Sequence, residues 1–315
     1  MKLLFRLIVG IVLVVIFWSG INYFIAPPAE FPVPYRLTIE NGQTLFSISR
    51  ELAADKAIRS TRAFEMFMIA LGSERKVSDG EYYFGTPVSS LQIALRISGR
   101  QFGIDRTRVT FPEGFTNKQI AERLGATFPG FDTTLFLTLA KGTEGYLFPD
   151  TYGFFPSVTP DFVLATLKRN FAKQTDPLQK EIEASGRSFK DIMIMASIIE
   201  KEAAGENDRA VVSGILWKRL DTDLALQVDA PFLYILGKES SELTRADLAI
   251  NSPYNTYRNR GLTPTPIGNP GLASIKAAIY PKASPYLYYL HDEDGSIYYA
   301  ATYKEHQQNI AKYLR

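Results

Sequence analysis

The chain has 315 residues, of which 46% are hydrophobic and 22% charged, a globular composition long enough for two or more modest cores. Its 35 basic and 33 acidic side chains leave a net charge of +2, so the strong basic field and long basic stripe of a nucleic-acid binder are missing. With no cysteine, a disulfide framework, a cysteine nucleophile and a thiolate metal site are all excluded.

Leu7 to Ile25 is a nearly unbroken apolar run, interrupted by Ser19, Gly20 and Asn22. As a helix it spans roughly 28 Å, close to the bilayer's hydrocarbon core of about 30 Å. Lys2 and Arg6 precede it, and Pro27, Pro28 and Glu30 follow. The positive-inside rule then puts the N-terminus in the cytoplasm and the rest of the chain across the membrane. The run is long for the apolar part of a cleaved signal peptide, and no small-x-small site follows it. Residues 1–26 are therefore expected to be a cytoplasmic N-terminus and a transmembrane anchor, with residues 7–25 in contact with lipid. Ala26 to Pro34 is Pro-rich and reads as a stiff, extended spacer.

The next module is expected to be small and α+β. Tyr35 to Ile39 alternates as a strand, Asn41-Gly42 turns the chain, and Thr44 caps a helix carrying Leu45, Ile48 and Leu52. A second helix is expected near Arg62 to Leu71, a short aromatic strand at Gly80 to Phe84, and a further helix opening at Ser89 or Ser90. This strand–helix–helix–strand order resembles a LysM-type fold, a module that often holds N-acetylated sugars. Sugar binding and a purely structural role both remain open for it. Residues 27–104 are assigned to the spacer and this module, and 105–315 to a larger mixed α+β domain.

In that larger domain a strand is expected at Arg106 to Phe111, and Thr116 to Gln119 has the capping-box pattern of a helix start. Helices are expected near Thr133 to Ala140, Asp161 to Phe171 and Pro177 to Ala184. Gly145 to Tyr152 reads as a packed aromatic loop. Phe189 to Ala204 is a long helix, and another runs from after Asp208 to about Leu220. Asn251 to Gly271 is dense in Pro, Gly and Asn and reads as a long functional loop. Asp294-Gly295 then joins two short strands in a hairpin, and Tyr303 to Leu314 forms a terminal helix.

Exclusion narrows the chemistry. The two histidines, His291 and His306, sit by the hairpin turn and on the terminal helix, and no Gly-x-Ser-x-Gly elbow exists. His-Glu-x-x-His, a P-loop and a dinucleotide fingerprint are all absent, so no cofactor and no metal is expected. Carboxylate chemistry remains. The Asp191 to Glu202 stretch is apolar on nearly every face, so it should be a buried helix. It delivers Glu200 and Glu202 at its C-terminal end, where the helix dipole disfavours an ionised carboxylate. Two residues apart, these side chains point about 200° apart and cannot act as a close pair. Glu202 shares a row with Met195, Ile198 and Ile199. An apolar surround raises a carboxyl pKa, as a general acid for a glycosidic bond requires. The pattern alone also fits two glutamates that are merely salt-bridged or solvated at a helix end.

Met195-Ala196-Ser197-Ile198-Ile199-Glu200-Lys201-Glu202 resembles the signature of the endolytic murein transglycosylases, the YceG-like family. Leu226-Gln227-Val228-Asp229, Ser252-Pro253-Tyr254-Asn255-Thr256-Tyr257 and the Gly261 to Gly271 loop resemble further motifs of that family, as do Leu147 to Tyr152 and Pro112-Glu113-Gly114 upstream. Thr263, Thr265, Lys218 and Ala230 depart from the family's usual residues. The resemblance implies that Glu202 is the catalytic acid and base. It implies that Glu200, Gln227, Asp229, Tyr254, Asn255, Thr256 and Tyr257 line or shape a substrate cleft. The implied reaction is non-hydrolytic cleavage of peptidoglycan between N-acetylmuramic acid and N-acetylglucosamine, leaving 1,6-anhydromuramoyl ends. It further implies a bacterial inner-membrane protein with its catalytic domain outside the cytoplasm. Glycan strands would be its partners, with peptidoglycan synthases of the elongation or division machinery beside them. The competing expectation is a membrane-anchored, non-catalytic peptidoglycan-binding scaffold. A third is a hydrolase using Asp150 or Asp229 as a second carboxylate.

Overall fold

The computed structural model describes residues 26–74, 77–103, 106–203, 205–238, 240–292 and 294–314. The expected membrane span at 7–25 lies outside them. Among the described residues no helix is long and apolar enough to cross a membrane. The architecture is mixed α+β, and it divides into two units, one up to Arg106 and one from Thr107 onward.

In the first unit, strand β1 (Tyr35–Ile39) pairs antiparallel with β2 (Gly80–Phe84), placing Tyr35 opposite Phe84 and Ile39 opposite Gly80. The alternation in β1 buries Tyr35, Leu37 and Ile39 and leaves Arg36 and Thr38 outside. Helices α1 (Leu45–Ala54) and α2 (Thr61–Ala70) connect the strands. Thr44 and Ser60 cap them by accepting hydrogen bonds from the Ser47 and Ala63 N–H groups. Helix α3 (Ser90–Ser98) follows, opened by a capping box of Ser89 and Gln92.

The stretch before β1 is not the extended spacer that its prolines suggest. Phe31 N–H donates to Pro28 O at 3.2 Å, which closes a turn. The Phe31 ring is buried edge-on against Tyr35 and Phe84, at 5.8 and 6.3 Å. Arg59 clamps the start of this stretch by donating to Pro27 O at 2.7 Å. Burying a phenylalanine is worth roughly 1.5–3 kcal/mol, enough to outweigh the preference of the flanking prolines for extension.

The second unit holds two cores. Strand β3 (Thr107–Thr110) pairs antiparallel with β4 (Thr151–Phe154). Helices α4 (Asn117–Thr127), α5 (Thr133–Leu139) and α6 (Pro160–Thr175) close over them around Phe111, Phe136, Leu147 and Leu167. Part of the aromatic segment read as a loop is thus a strand. The turn-forming Gly145 and Pro149 mask the alternation of Thr151 to Phe154 that follows them.

The other core surrounds α8 (Phe189–Glu202), whose residues Ile192 to Ile199 are all buried. A short helix α7 (Gln179–Ala184) precedes it, and α9 (Glu206–Asp221) and α12 (Leu272–Ile279) pack against it. Gly214 lies mid-helix in α9 because the chain passes so closely there. A Cβ at this position would sit 2.1 Å from Lys282 O. Between α9 and α12 run α10 (Ala230–Leu236), α11 (Arg245–Leu248) and a long irregular loop. The hairpin of β5 (Tyr288–His291) and β6 (Ile297–Ala300) follows, and α13 (Tyr303–Tyr313) packs on both strands.

Candidate active site

Helix α8 stops at Glu202 because Ala203 is extended, at φ −148° and ψ 133°. The glutamate therefore emerges where the helix leaves the core. It is partly buried, with protein packed around its carboxyl on most sides, and opens onto a cleft of about 1010 Å³. Glu200, Lys201, Gln227, Asp229 and Tyr257 also line that cleft. The hairpin and α13 supply further lining, including Tyr288, Tyr289, His291 and His306.

Tyr289 donates its phenolic hydrogen to Glu202 Oε2 at 2.8 Å. Burial pushes the Glu202 carboxyl up to about 7, and the neighbouring charge of Asp229 adds to the rise. The Tyr289 phenol and the Ala230 N–H oppose it. Burial first, then the adjacent Glu202, drives the Tyr289 phenol well above its ordinary value, so it stays a donor throughout the neutral range. Asp229 accepts from the Tyr257 hydroxyl at 2.7 Å. Burial, then that bond, raises Tyr257 as well.

Gln227 sits in the left-handed backbone region at φ 53°, a conformation costing about 1–2 kcal/mol for a residue other than glycine. Three hydrogen bonds hold the turn. Gln227 N–H donates to Thr256 O at 3.1 Å. Val228 N–H donates to Thr256 Oγ1 at 3.1 Å, and that hydroxyl donates to Val228 O at 2.7 Å. The Gln227 side chain accepts from Arg219 at 2.6 Å, and the same guanidinium donates to Ala225 O and Leu287 O.

Tyr254, Asn255 and Thr256 act around the cleft instead of in its wall. Asn255 is fully buried. Its amide donates to Leu248 O and Ile250 O, and its carbonyl accepts from Tyr257 N–H. Thr256 is buried against Val228, and Tyr254 shares a 2.7 Å hydrogen bond with Thr265 while its ring packs on Tyr234. Glu200 points away from Glu202, as the helical angle requires. Its Oε2 accepts from Gly271 N–H at 2.8 Å and its Oε1 lies 3.5 Å from Arg209. Beside it, burial and then repulsion from Glu200 raise the Glu113 carboxyl, against the attraction of Arg209.

Tyr289, Arg219 and Arg209 line this cleft, and their roles were not visible in the sequence. Strand alternation separates Tyr289 from Tyr288 and Leu290, but it does not say which side meets α8. Asp150, weighed as a second carboxylate, accepts from Asn170 at 3.0 Å and is not among the cleft residues. Among the described residues, no group of three or more His, Cys, Asp or Glu side chains is placed to hold a metal ion.

The profile of the YceG-like family matches residues 37–312. The chain is 33% identical over 308 residues to the endolytic murein transglycosylase of Bacillus subtilis (strain 168), covering 88% of this chain and 84% of that one. It is 30% identical over 244 residues to the endolytic murein transglycosylase of Streptococcus pneumoniae serotype 2 (strain D39 / NCTC 7466). That match covers 65% of this chain but only 44% of the longer pneumococcal protein. The crystal structure of a YceG-like protein from Listeria monocytogenes superposes with a TM-score of 0.60 at 28% identity, over 87% of this chain and 99% of that one.

Proposed function

The chain belongs to the YceG-like family, and from that membership we propose that it is an endolytic murein transglycosylase with Glu202 as its acid and base. The observation that carries the reading is the Glu202 carboxyl, raised to about 7 where it opens onto the cleft, as the second glutamate of the Glu200-Lys201-Glu202 motif. A protonated Glu202 gives its hydrogen to the glycosidic oxygen while the bond from muramic acid C1 to that oxygen breaks. Positive charge grows on the sugar ring, and the substrate's own acetamido group assists at C1. The ionised carboxylate then takes the hydrogen of the muramoyl C6 hydroxyl, whose oxygen closes on C1. The 1,6-anhydro ring forms without water, and Glu202 regains its proton. One carboxyl suffices, unlike the paired carboxylates of ordinary glycosidases. Asp229 holds a negative charge close by and helps keep Glu202 protonated before the first step.

Mass spectrometry of products from purified peptidoglycan tests this. The protein should release anhydromuramoyl ends, and Glu202→Gln should release none while keeping its fold. Reducing ends would indicate a hydrolase. Full activity of Glu202→Gln would remove Glu202 from the chemistry, and sugar binding without cutting would leave a scaffold.

The apolar run at 7–25, with Lys2 and Arg6 before it, supports anchoring in the bacterial inner membrane with the cleft outside the cytoplasm. Such anchoring suits cutting of nascent strands beside a peptidoglycan synthase. The strand–helix–helix–strand order of the first unit supports a LysM-like sugar-holding role. We assign residues 1–26 to the anchor, 27–104 to that module and 105–315 to the catalytic domain.

A further inference from the structure

The proposed mechanism asks one carboxyl to give a proton and take one back at the same place. A free carboxyl has two equivalent oxygens and rotates between them, so half of its orientations aim the proton away from the substrate. In this chain the two oxygens are not equivalent. Oε2 accepts from the Tyr289 hydroxyl at 2.8 Å. Resting on the assignment of Glu202 as acid and base, we propose that Tyr289 is a positioning residue that locks the carboxyl in one rotation, leaving Oε1 to carry the proton to and from the glycan.

The geometry supports the lock from both sides of the hydrogen bond. Tyr289 lies in the middle of β5, where it pairs across the hairpin with Tyr299. Tyr299 in turn donates to Asp208 of α9 at 2.7 Å and stacks on Tyr286 at 5.3 Å. Arg219 of α9 donates to Leu287 O at 2.9 Å just before the strand. The hairpin is therefore tied to α9 at two points, one on each strand side, and the phenol it presents has little freedom to leave Glu202. A rigid donor on Oε2 also fits both halves of the reaction. In the first half the carbonyl-like oxygen of the neutral acid accepts, so the proton must reside on Oε1. In the second half the same phenol steadies the new negative charge without a cation. A lysine or arginine there would hold the carboxylate ionised and stop the first step.

The charged and titratable groups that face Glu202 come from several elements. They are Tyr289 from β5, and Asp229 and Tyr257 from the segments before α10 and in the long loop, while Arg219 from α9 acts on the two tyrosines. Glu200 and Lys201 share its helix, and His291 and His306 line the same cleft. Of these, Tyr289 is the side chain that hydrogen-bonds the carboxyl. Its removal withdraws the phenol's stabilisation of the ionised form while leaving burial, Asp229 and the Ala230 N–H in place.

The test is Tyr289→Phe in the full chain, assayed on peptidoglycan for anhydromuramoyl release across pH 5–9. The expected result is a fall in kcat of about tenfold, the usual scale for one lost hydrogen bond to a charged group. KM should hold. The alkaline limb of the rate should move to higher pH, because the ionised form of Glu202 has lost its donor. Tyr298→Phe is the control for losing a phenol from the same hairpin. It removes the bond to Asp292, outside the cleft, and should leave the limb where it is. An unchanged limb and unchanged kcat in Tyr289→Phe would overturn the inference, and so would an equal limb shift in both variants. Glu202→Gln, run alongside, separates the two levels. If it is inactive while Tyr289→Phe behaves as the parent, only the positioning role fails. If Glu202→Gln cuts normally, the assignment beneath it fails.

Discussion

A carboxyl raised to about 7 by burial and by Asp229 keeps its proton in the folded state up to near-neutral pH. The unfolded chain, with an ordinary carboxyl near 4.5, binds fewer protons there, so folding stability falls as pH rises between these two values. At about 1.4 kcal/mol per pH unit the loss by pH 8 reaches on the order of 3 kcal/mol. Glu202→Gln should therefore melt above the parent at pH 8, with the difference closing toward pH 4. Calorimetry at the two pH values checks it, and equal melting temperatures at pH 8 would show that Glu202 ionises freely in the fold. The same carboxyl makes the cutting rate fall as pH climbs through about 7, since the first step needs the protonated form. A rate flat from pH 5 to 9 would contradict this. Part of this residue's setting was legible beforehand: the apolar row and the helix end follow from the Asp191 to Glu202 pattern, which fitted a solvated or salt-bridged glutamate as well, and the choice of Glu202 came from the family resemblance. Tyr289 was not legible, because its partner lies 87 positions away and one tyrosine among several in a strand carries no mark of its neighbour.

Helix α8 is buried because it has no polar face, and the elements around it are fastened through its few polar atoms. Ser197 is the clearest case. Its hydroxyl donates to Ile194 O at 2.7 Å and accepts from Ile267 N–H at 3.0 Å, pinning the long loop to the helix. Ser197→Ala leaves that buried N–H unpaired and should cost about 1–3 kcal/mol, read as a lower denaturant midpoint with an unchanged slope. Gly214→Ala should cost about 1–3 kcal/mol by overpacking, since the new methyl meets the Lys282 backbone. A neutral result in the same titration would mean that α9 and the segment around Lys282 slide apart freely. At this scale periodicity served well for α8, α9 and the hairpin. It missed α10 and α12, each only two turns long and bordered by proline or glycine, where too few residues repeat to establish a period. The loop of Asn251 to Gly271 reads as irregular in both sequence and structure. Its order comes from side chains such as Asn255 capping backbone groups, and no spacing rule reports that.

Each unit has its own core, and every residue lining the cleft belongs to the second. The segment from Thr107 onward should therefore fold when produced alone, with a cooperative thermal transition, and release anhydromuramoyl ends from glycan strands in solution. Absence of a transition would show that the second core depends on the first unit. The order of elements along the chain also fixes when the site exists. Glu202 leaves the ribosome 87 residues ahead of Tyr289, an interval of about 4–17 s at roughly 5–20 residues per second. During most of that interval α8 can pack on α9, while α12 and the tyrosine that holds its carboxyl have yet to be synthesised. The cutting edge is thus the last part of the blade to be ground, and a chain interrupted before the hairpin carries the acid without its guide.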